Sequence, residues 1–118
     1  MSYDIRFKTK VEGINAFVDV GYCDASTTWN VREMICKSTG LEWKNCKSNG
    51  LCIDVIPHIE HGLSELENRP EKYKKYNSPN GWGNVGSTIL FFKDILAAWE
   101  DFQKSKPELV PITIFWIE

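Results

Sequence analysis

No stretch of this chain approaches the roughly 18 consecutive apolar residues of a membrane-crossing helix. The opening residues, Met1-Ser2-Tyr3-Asp4-Ile5-Arg6-Phe7, alternate polar and apolar side chains and carry no signal-peptide core. Both absences lead to the expectation of a cytoplasmic protein with no membrane partner. Charge of one sign is also missing: 14 basic residues stand against 16 acidic ones, a net of −2. That is too little positive charge to hold a phosphate backbone, which argues against nucleic acid as the partner. Nor is it negative enough to mimic DNA. The four cysteines, Cys23, Cys36, Cys46 and Cys52, are separated by 12, 9 and 5 residues, so no C-x-x-C pair or zinc-ribbon spacing exists. They read as reduced thiols, mostly small buried hydrophobes. Phosphate-binding glycine loops, dinucleotide fingerprints and a nucleophile elbow are absent as well. No catalytic residue and no cofactor are implied.

What the chain has is aromatic side chains. They make up 13% of 118 residues and include five tryptophans, more than a core of this size can bury completely. One or two should lie at an interaction surface. The length suits a single domain, residues 1–118, with a core that needs neither disulfides nor metal.

The pattern predicts an α+β fold. Tyr3, Ile5 and Phe7 alternate with Asp4, Arg6 and Lys8, and Ile14, Ala16, Val18 and Val20 alternate with Asn15, Phe17 and Asp19. Val11-Glu12-Gly13 turns between them, so strands 3–9 and 13–20 should form a hairpin. Pro111 and the β-branched, aromatic residues after it predict a third strand at 111–117. The expectation is a three-stranded, mainly antiparallel sheet with helices near 30–39, 51–68 and 86–105 packed on one face. Asn30 with Glu33 resembles a capping box, and Gly40 suits a left-handed helix stop. The second helix contains Pro57. A start near Asp54 leaves that proline in the first turn, and a start near Leu51 places it inside the helix; the later start is the expected one. Pro70 opens a short helical turn through Tyr76. Ile89, Phe92, Ile95, Leu96, Trp99 and Phe102 should form the inward face of the last helix, which Pro107 ends.

Ser78-Pro79-Asn80-Gly81-Trp82-Gly83-Asn84 is the most informative segment. Pro79 presets its own φ, and Gly81 and Gly83 admit positive φ, so at least one of the two is expected there. Trp82 then either plugs the core from its edge or stands outside as an anchor for a partner. Trp43, in a segment read as loop, is a second candidate anchor. Arg69, Lys72, Lys74 and Lys75 with Tyr73 and Tyr76 form the one basic, aromatic cluster, a solvated helix end or a docking patch for an acidic protein.

A rival site lies on the second helix. Asp54, His58, His61 and Glu65 fall within an arc of about 60°, opposite Val55, Ile56, Ile59, Leu63 and Leu66. Imidazoles and carboxylates on one face could ligate zinc, manganese or iron. Charged residues opposite an apolar stripe are also what any amphipathic helix shows. A second arrangement, Cys46, Cys52, His58 and His61, fails because Cys52 points with the apolar stripe.

The order of elements resembles small uncharacterised proteins encoded by bacteriophages and prophages. Thr28-Trp29-Asn30 with Met34 at a helix start, then Gly81-Trp82-Gly83, an amphipathic helix and a terminal strand carry the likeness. It implies a small phage or mobile-element protein, one that antagonises a host system, and size and acidity are similar to those of bacterial immunity proteins. Both kinds act by binding. With catalytic signatures missing and aromatics in surplus, the expected function is non-enzymatic binding of a macromolecule, foremost a protein, as inhibitor, anti-defence or immunity-type factor. Trp82, Gly81, Gly83, Asn80, Trp43, Tyr73 and Tyr76 are the candidate contacts, and a homodimer is compatible with the same surface. The alternative is a metal-binding protein or metal-dependent hydrolase built on Asp54, His58, His61 and Glu65.

Overall fold

The computed structural model describes residues 2–10, 13, 16–44 and 47–118. Strand β1 (Ser2–Lys10) is the centre of an antiparallel sheet, and its alternation dictates its place: Tyr3, Ile5, Phe7 and Thr9 are buried while Asp4, Arg6 and Lys8 face outward. Along one side of β1 runs β5 (Ile114–Ile117), with Ile5 opposite Ile117 and Phe7 opposite Phe115. Along the other side lie two short strands in succession, β2 (Phe17–Asp19) and β3 (Ser26–Thr28). Strand β4 (Lys47–Leu51) closes the far edge beyond β5. The described residues thus form five strands, not three.

The sheet departs from expectation for identifiable reasons. β2 spans only three residues, and Phe17 and Val18 are both exposed, so it hangs on ladder hydrogen bonds without core burial. Ile14 and Asn15, part of the strand expected at 13–20, lie outside the described residues. β5 begins at Ile114 because Pro107–Ile112, Pro111 included, winds as a 3-10 turn. β3 and β4 have no apolar alternation to announce them. β4 is Lys-Ser-Asn-Gly-Leu, and its register on β5 shifts between Ser48 and Leu51, where Gly50 takes φ 110°.

The helices are α1 (Arg32–Thr39), α2 (Cys52–Asn68), α3 (Pro70–Tyr73) and α4 (Val85–Ser105). α4 lies against the buried side of β1. Phe7 meets Trp99 and Phe102 with ring centroids 5.6 and 6.0 Å apart, and Phe91 meets Trp43, which in turn meets Phe115. α2 starts at Cys52, in line with the 51–68 span and earlier than the start near Asp54, so Pro57 sits within it. An interior proline costs about 3 kcal/mol. Val55, Ile56 and Ile59 on the same two turns are all buried, at about 1.5–3 kcal/mol each, and outweigh it. Gly62 allows α1 and α2 to approach closely: a Cβ there would lie 2.6 Å from Thr39 Cγ2. Gly40 ends α1 at φ 76°, as its position suggested.

Two caps differ from the sequence pattern. Thr28, not Asn30, caps the 3-10 turn Trp29–Val31, and α1 proper starts behind Val31 with no side-chain cap. The reciprocal capping box belongs instead to α4. Ser87 N–H donates to Asn84 Oδ1 and Asn84 N–H donates to Ser87 Oγ, each at 2.9 Å.

Candidate functional site

Residues 77–84 fold into a turn that holds Trp82 by its backbone and leaves its side chain outside. Gly81 N–H donates to Ser78 O at 3.1 Å, and Ser78 N–H donates to Gly83 O at 3.0 Å. Asn80 Oδ1 accepts from Trp82 N–H at 3.0 Å and from the Ser78 hydroxyl. Asn77 Oδ1 accepts from Val85 N–H, tying the turn to the first residue of α4. Both glycines take positive φ, 77° at Gly81 and 108° at Gly83. They differ in surroundings. A Cβ on Gly81 would meet nothing, whereas one on Gly83 would lie 2.6 Å from Val31 Cγ1 and 2.8 Å from Thr28 Cγ2. Gly83 is where the turn lies against the rest of the molecule.

Asn30 completes the attachment: its Nδ2 donates to Trp82 O at 3.1 Å. Both backbone polar groups of Trp82 are therefore satisfied, and the residue is 71% exposed. The indole is not a core plug. Beside it runs an open groove of about 630 Å³ lined by Ser2, Ser26, Thr27, Thr28, Asn30, Asn80 and Trp82. None of these carries an ionisable side chain, so the groove offers hydroxyls, carboxamides and one aromatic face. Trp29 flanks it, partly exposed, with its Nε1 donating to Ser2 O at 2.8 Å and its ring stacked on Tyr3.

The groove also runs along the outer edge of β3. Ile5 N–H donates to Ala25 O, and Asp4 exchanges both bonds with Glu118 on the opposite side of β1. Odd-numbered residues of β1 therefore bond towards β3, which makes Tyr3 and Thr27 a bonded pair. Ser26 must then direct its N–H and C=O away from β1, to the outer edge of the sheet, as does the N–H of Thr28, whose C=O is taken up by the 3-10 turn that follows. That edge lines the groove.

The other candidate contacts are not brought together with Trp82. Trp43 and Tyr73 are each 2% exposed and belong to the core, a correction to both as surface contacts. Trp43 packs edge-on among Tyr3, Phe91 and Phe115. Tyr73 was drawn inward by a hydrogen bond: its hydroxyl donates to Glu65 Oε1 at 2.9 Å. Tyr76 is half-buried beside it, the ring centroids 6.5 Å apart. Ser2, Ser26, Thr27, Thr28 and Trp29 were missed as site residues. The run of Ser and Thr after Ala25 is a β-branched signal, but three residues are too few to separate from loop.

The helical face of α2 does not assemble a metal site. Among the described residues no group of three or more histidines, cysteines or carboxylates could hold an ion. Each proposed ligand is exposed separately or engaged elsewhere. Asp54 sits in the first turn, His58 Nδ1 lies 3.2 Å from Thr39 O, and Glu65 is bonded to Tyr73 and paired with Arg69 and Lys72. The Tyr73 hydroxyl first, and then the two cations, hold the Glu65 carboxyl below its ordinary range. An arc of 60° puts side chains on one face, but a single helix does not make them converge. Cys46, in the second arrangement, lies outside the described residues.

Of the described thiols, Cys23 and Cys52 are buried and Cys36 is half-buried. Burial pushes the Cys23 thiol up to about 11, and the Cys52 thiol further still. Both are protonated at neutral pH, and the thiolate is the reactive form. No described helix is long and apolar enough to cross a membrane. Comparison with protein-family models, with curated proteins and with solved structures yields no match, so the site is read from its own geometry.

Proposed function

We propose that this protein is a non-enzymatic binding module that captures an extended segment of a protein partner along the β3 edge, with Trp82 as the anchor. The observation that carries this reading is a tryptophan fixed at both backbone polar groups and 71% exposed beside the outward-directed N–H and C=O of Ser26 on the β3 edge. A peptide added to a sheet edge gains main-chain hydrogen bonds from the edge and specificity from side-chain contacts. Tryptophan is the residue type most enriched where binding energy concentrates, and a residue whose backbone is already fixed loses less freedom on binding. The uncharged lining of the groove supports a neutral segment over a polyanion. On the resemblance to phage-encoded proteins, the partner is a host protein whose action is blocked by occupation of that segment.

The test compares baits of the full chain that fold equally well. Trp82→Ala removes the anchor. Ser26→Pro removes an outward N–H, a replacement that edge strands accept where that group faces solvent. Both should lose a protein that the parent bait retains from a host lysate, while a Lys106→Ala bait on the opposite end of α4 keeps it. Retention by all four baits, or loss from the Lys106→Ala bait alone, overturns the reading. Light scattering of the parent alone separates a foreign partner from a second copy of this chain.

A further inference from the structure

A second concavity lies away from the Trp82 groove, between the last turn of α1 and the segment 70–76. It measures about 150 Å³ and is lined by Lys37, Lys72, Tyr73, Lys75 and Tyr76. Sequence alone groups Lys72 and Lys75 but cannot add Lys37, which arrives from another helix. We propose that this concavity is a binding site for one phosphoryl group, free or carried as a monoester.

Three features argue for that ligand. First, the tyrosine rings stand with centroids 6.5 Å apart and hold the ammonium groups at the rim: Lys72 Nζ lies 5.5 Å from the Tyr73 ring and Lys75 Nζ 5.2 Å from the Tyr76 ring. Second, the charge is unbalanced. Lys72 pairs with Glu65 at 3.7 Å, but among the described residues Lys37 and Lys75 are in no ion pair. Three ammonium groups less one carboxylate leave two positive charges around one concavity in a protein whose net charge is −2. Like charges gathered on two separate elements repel unless an anion joins them, and a phosphoryl group near neutral pH carries about two charges and three acceptor oxygens. Third, size restricts the ligand. The volume is about half that of the smallest drug-sized pockets, roughly 300 Å³, which leaves no room for a nucleoside to be enclosed with its phosphate.

The Tyr73 hydroxyl is not available to the ligand, because it donates to Glu65 at 2.9 Å. Its role is to position Glu65, and through it Lys72. The ammonium groups of Lys37 and Lys75 make the direct contacts.

The experiment is a two-dimensional NMR titration of the full chain at constant ionic strength. Inorganic phosphate is the ligand in one arm and O-phosphoserine in the other, with sodium chloride as the balancing salt. The expected result is saturable shifts at Lys37, Lys75 and Tyr76, with Lys37→Ala and Lys75→Ala each weakening the affinity about tenfold. Lys106→Ala should bind as the parent does. Tighter binding of O-phosphoserine assigns the site to phosphate esters, and tighter or equal binding of phosphate assigns it to the free ion. Shifts that rise without saturating, or that match those of chloride, overturn the proposal. So does a titration in which Lys37→Ala and Lys75→Ala behave as the parent.

Discussion

Trp82 and Trp116 both come out of the core, and the molecule treats them in opposite ways. Trp116 faces outward because strand alternation puts it there, opposite Arg6 and between buried Phe115 and Ile117. The chain covers it. Lys8 Nζ lies 4.2 Å above its ring, and Lys8, Arg6, Asp19 and Glu118 close an ion network across the outer sheet face. Trp82 is outside because a turn with two positive-φ glycines puts it there, and among the described residues no ring or cation covers its indole. An aromatic exposed by periodicity is sealed with the chain's own charges, and one exposed by a dedicated turn is left open. The second kind is the better candidate for contact with another molecule.

The largest effect should come from breaking the turn. At Gly83 a valine meets positive φ and two contacts under 3 Å, with Val31 and Thr28. Backbone strain of about 1–2 kcal/mol and overpacking of about 1–3 kcal/mol should together remove roughly 3 kcal/mol of stability. For a chain of this length that lowers Tm by about 12 °C. Gly81→Val meets open space, so only the backbone term applies, about 1–2 kcal/mol. Thermal melts of the two variants decide it. Equal losses would mean that the turn does not lean on Val31 and Thr28, and that Trp82 is not fixed there.

The crossed tryptophan experiment sharpens the contrast. Trp82→Ala should leave stability within about 0.5 kcal/mol of the parent, as for other exposed positions. Its cost should fall on partner binding, about 2 kcal/mol or a 30-fold loss. Trp116→Ala should do the reverse: about 2 kcal/mol of stability from lost burial and lost cation contact, with partner binding unchanged. Melts and binding measurements on both variants check the exchange. If Trp116→Ala also abolished binding at full stability, the sealed face would be an interface too.

Which parts were legible follows from where the forces are local. The alternation of β1 and the 3.6-residue stripe of α4 are written in apolar side chains, and both elements fall where those patterns lie. β3 and β4 are held by pairing with residues far along the chain, so their own Ser, Thr, Lys and Asn content was silent. The turn was legible because Gly81 and Gly83 are needed for its backbone conformation. Its partners across the groove were not, because Asn30 and Thr28 reach it through space from more than fifty residues away, and Asn30 already had a helix-capping role to account for it. Trp43 and Tyr73 mislead for a related reason: composition says that some aromatics must be exposed, but only packing selects which.

A smaller effect concerns how the turn joins α4. Asn84 Oδ1 accepts from Ser87 N–H in a reciprocal cap, immediately after Gly83. Asn84→Ala should cost about 1 kcal/mol, the usual value of an N-cap. If the turn and helix act as one rigid unit, hydrogen exchange at Trp82 and Val85 N–H should accelerate together in this variant. Acceleration at Val85 alone would separate the turn from the helix and weaken the account of Trp82 as preorganised.

The smallest effect lies outside the turn, where Tyr73 and Glu65 share a hydrogen bond. Glu65 has its pKa lowered from an ordinary 4.5, by the Tyr73 hydroxyl first and then by Arg69 and Lys72. A carboxyl with a depressed folded-state pKa contributes stability above its unfolded value and loses it as pH falls through the folded one. Tyr73 moves the opposite way: burial, then Glu65, raises it above 10, so its neutral form is favoured up to that pH and its contribution is lost beyond. Tyr73→Phe keeps the buried ring and removes the hydroxyl. Urea unfolding of parent and variant should therefore differ most near pH 7, and the gap should close as pH falls below the ordinary 4.5. The gap should be modest, because Arg69 and Lys72 still face Glu65 in the variant. A gap that did not narrow on acidification would show that the phenol packs without carrying the Glu65 charge, and Lys72 would then lose the support that the phosphoryl site assigns to it.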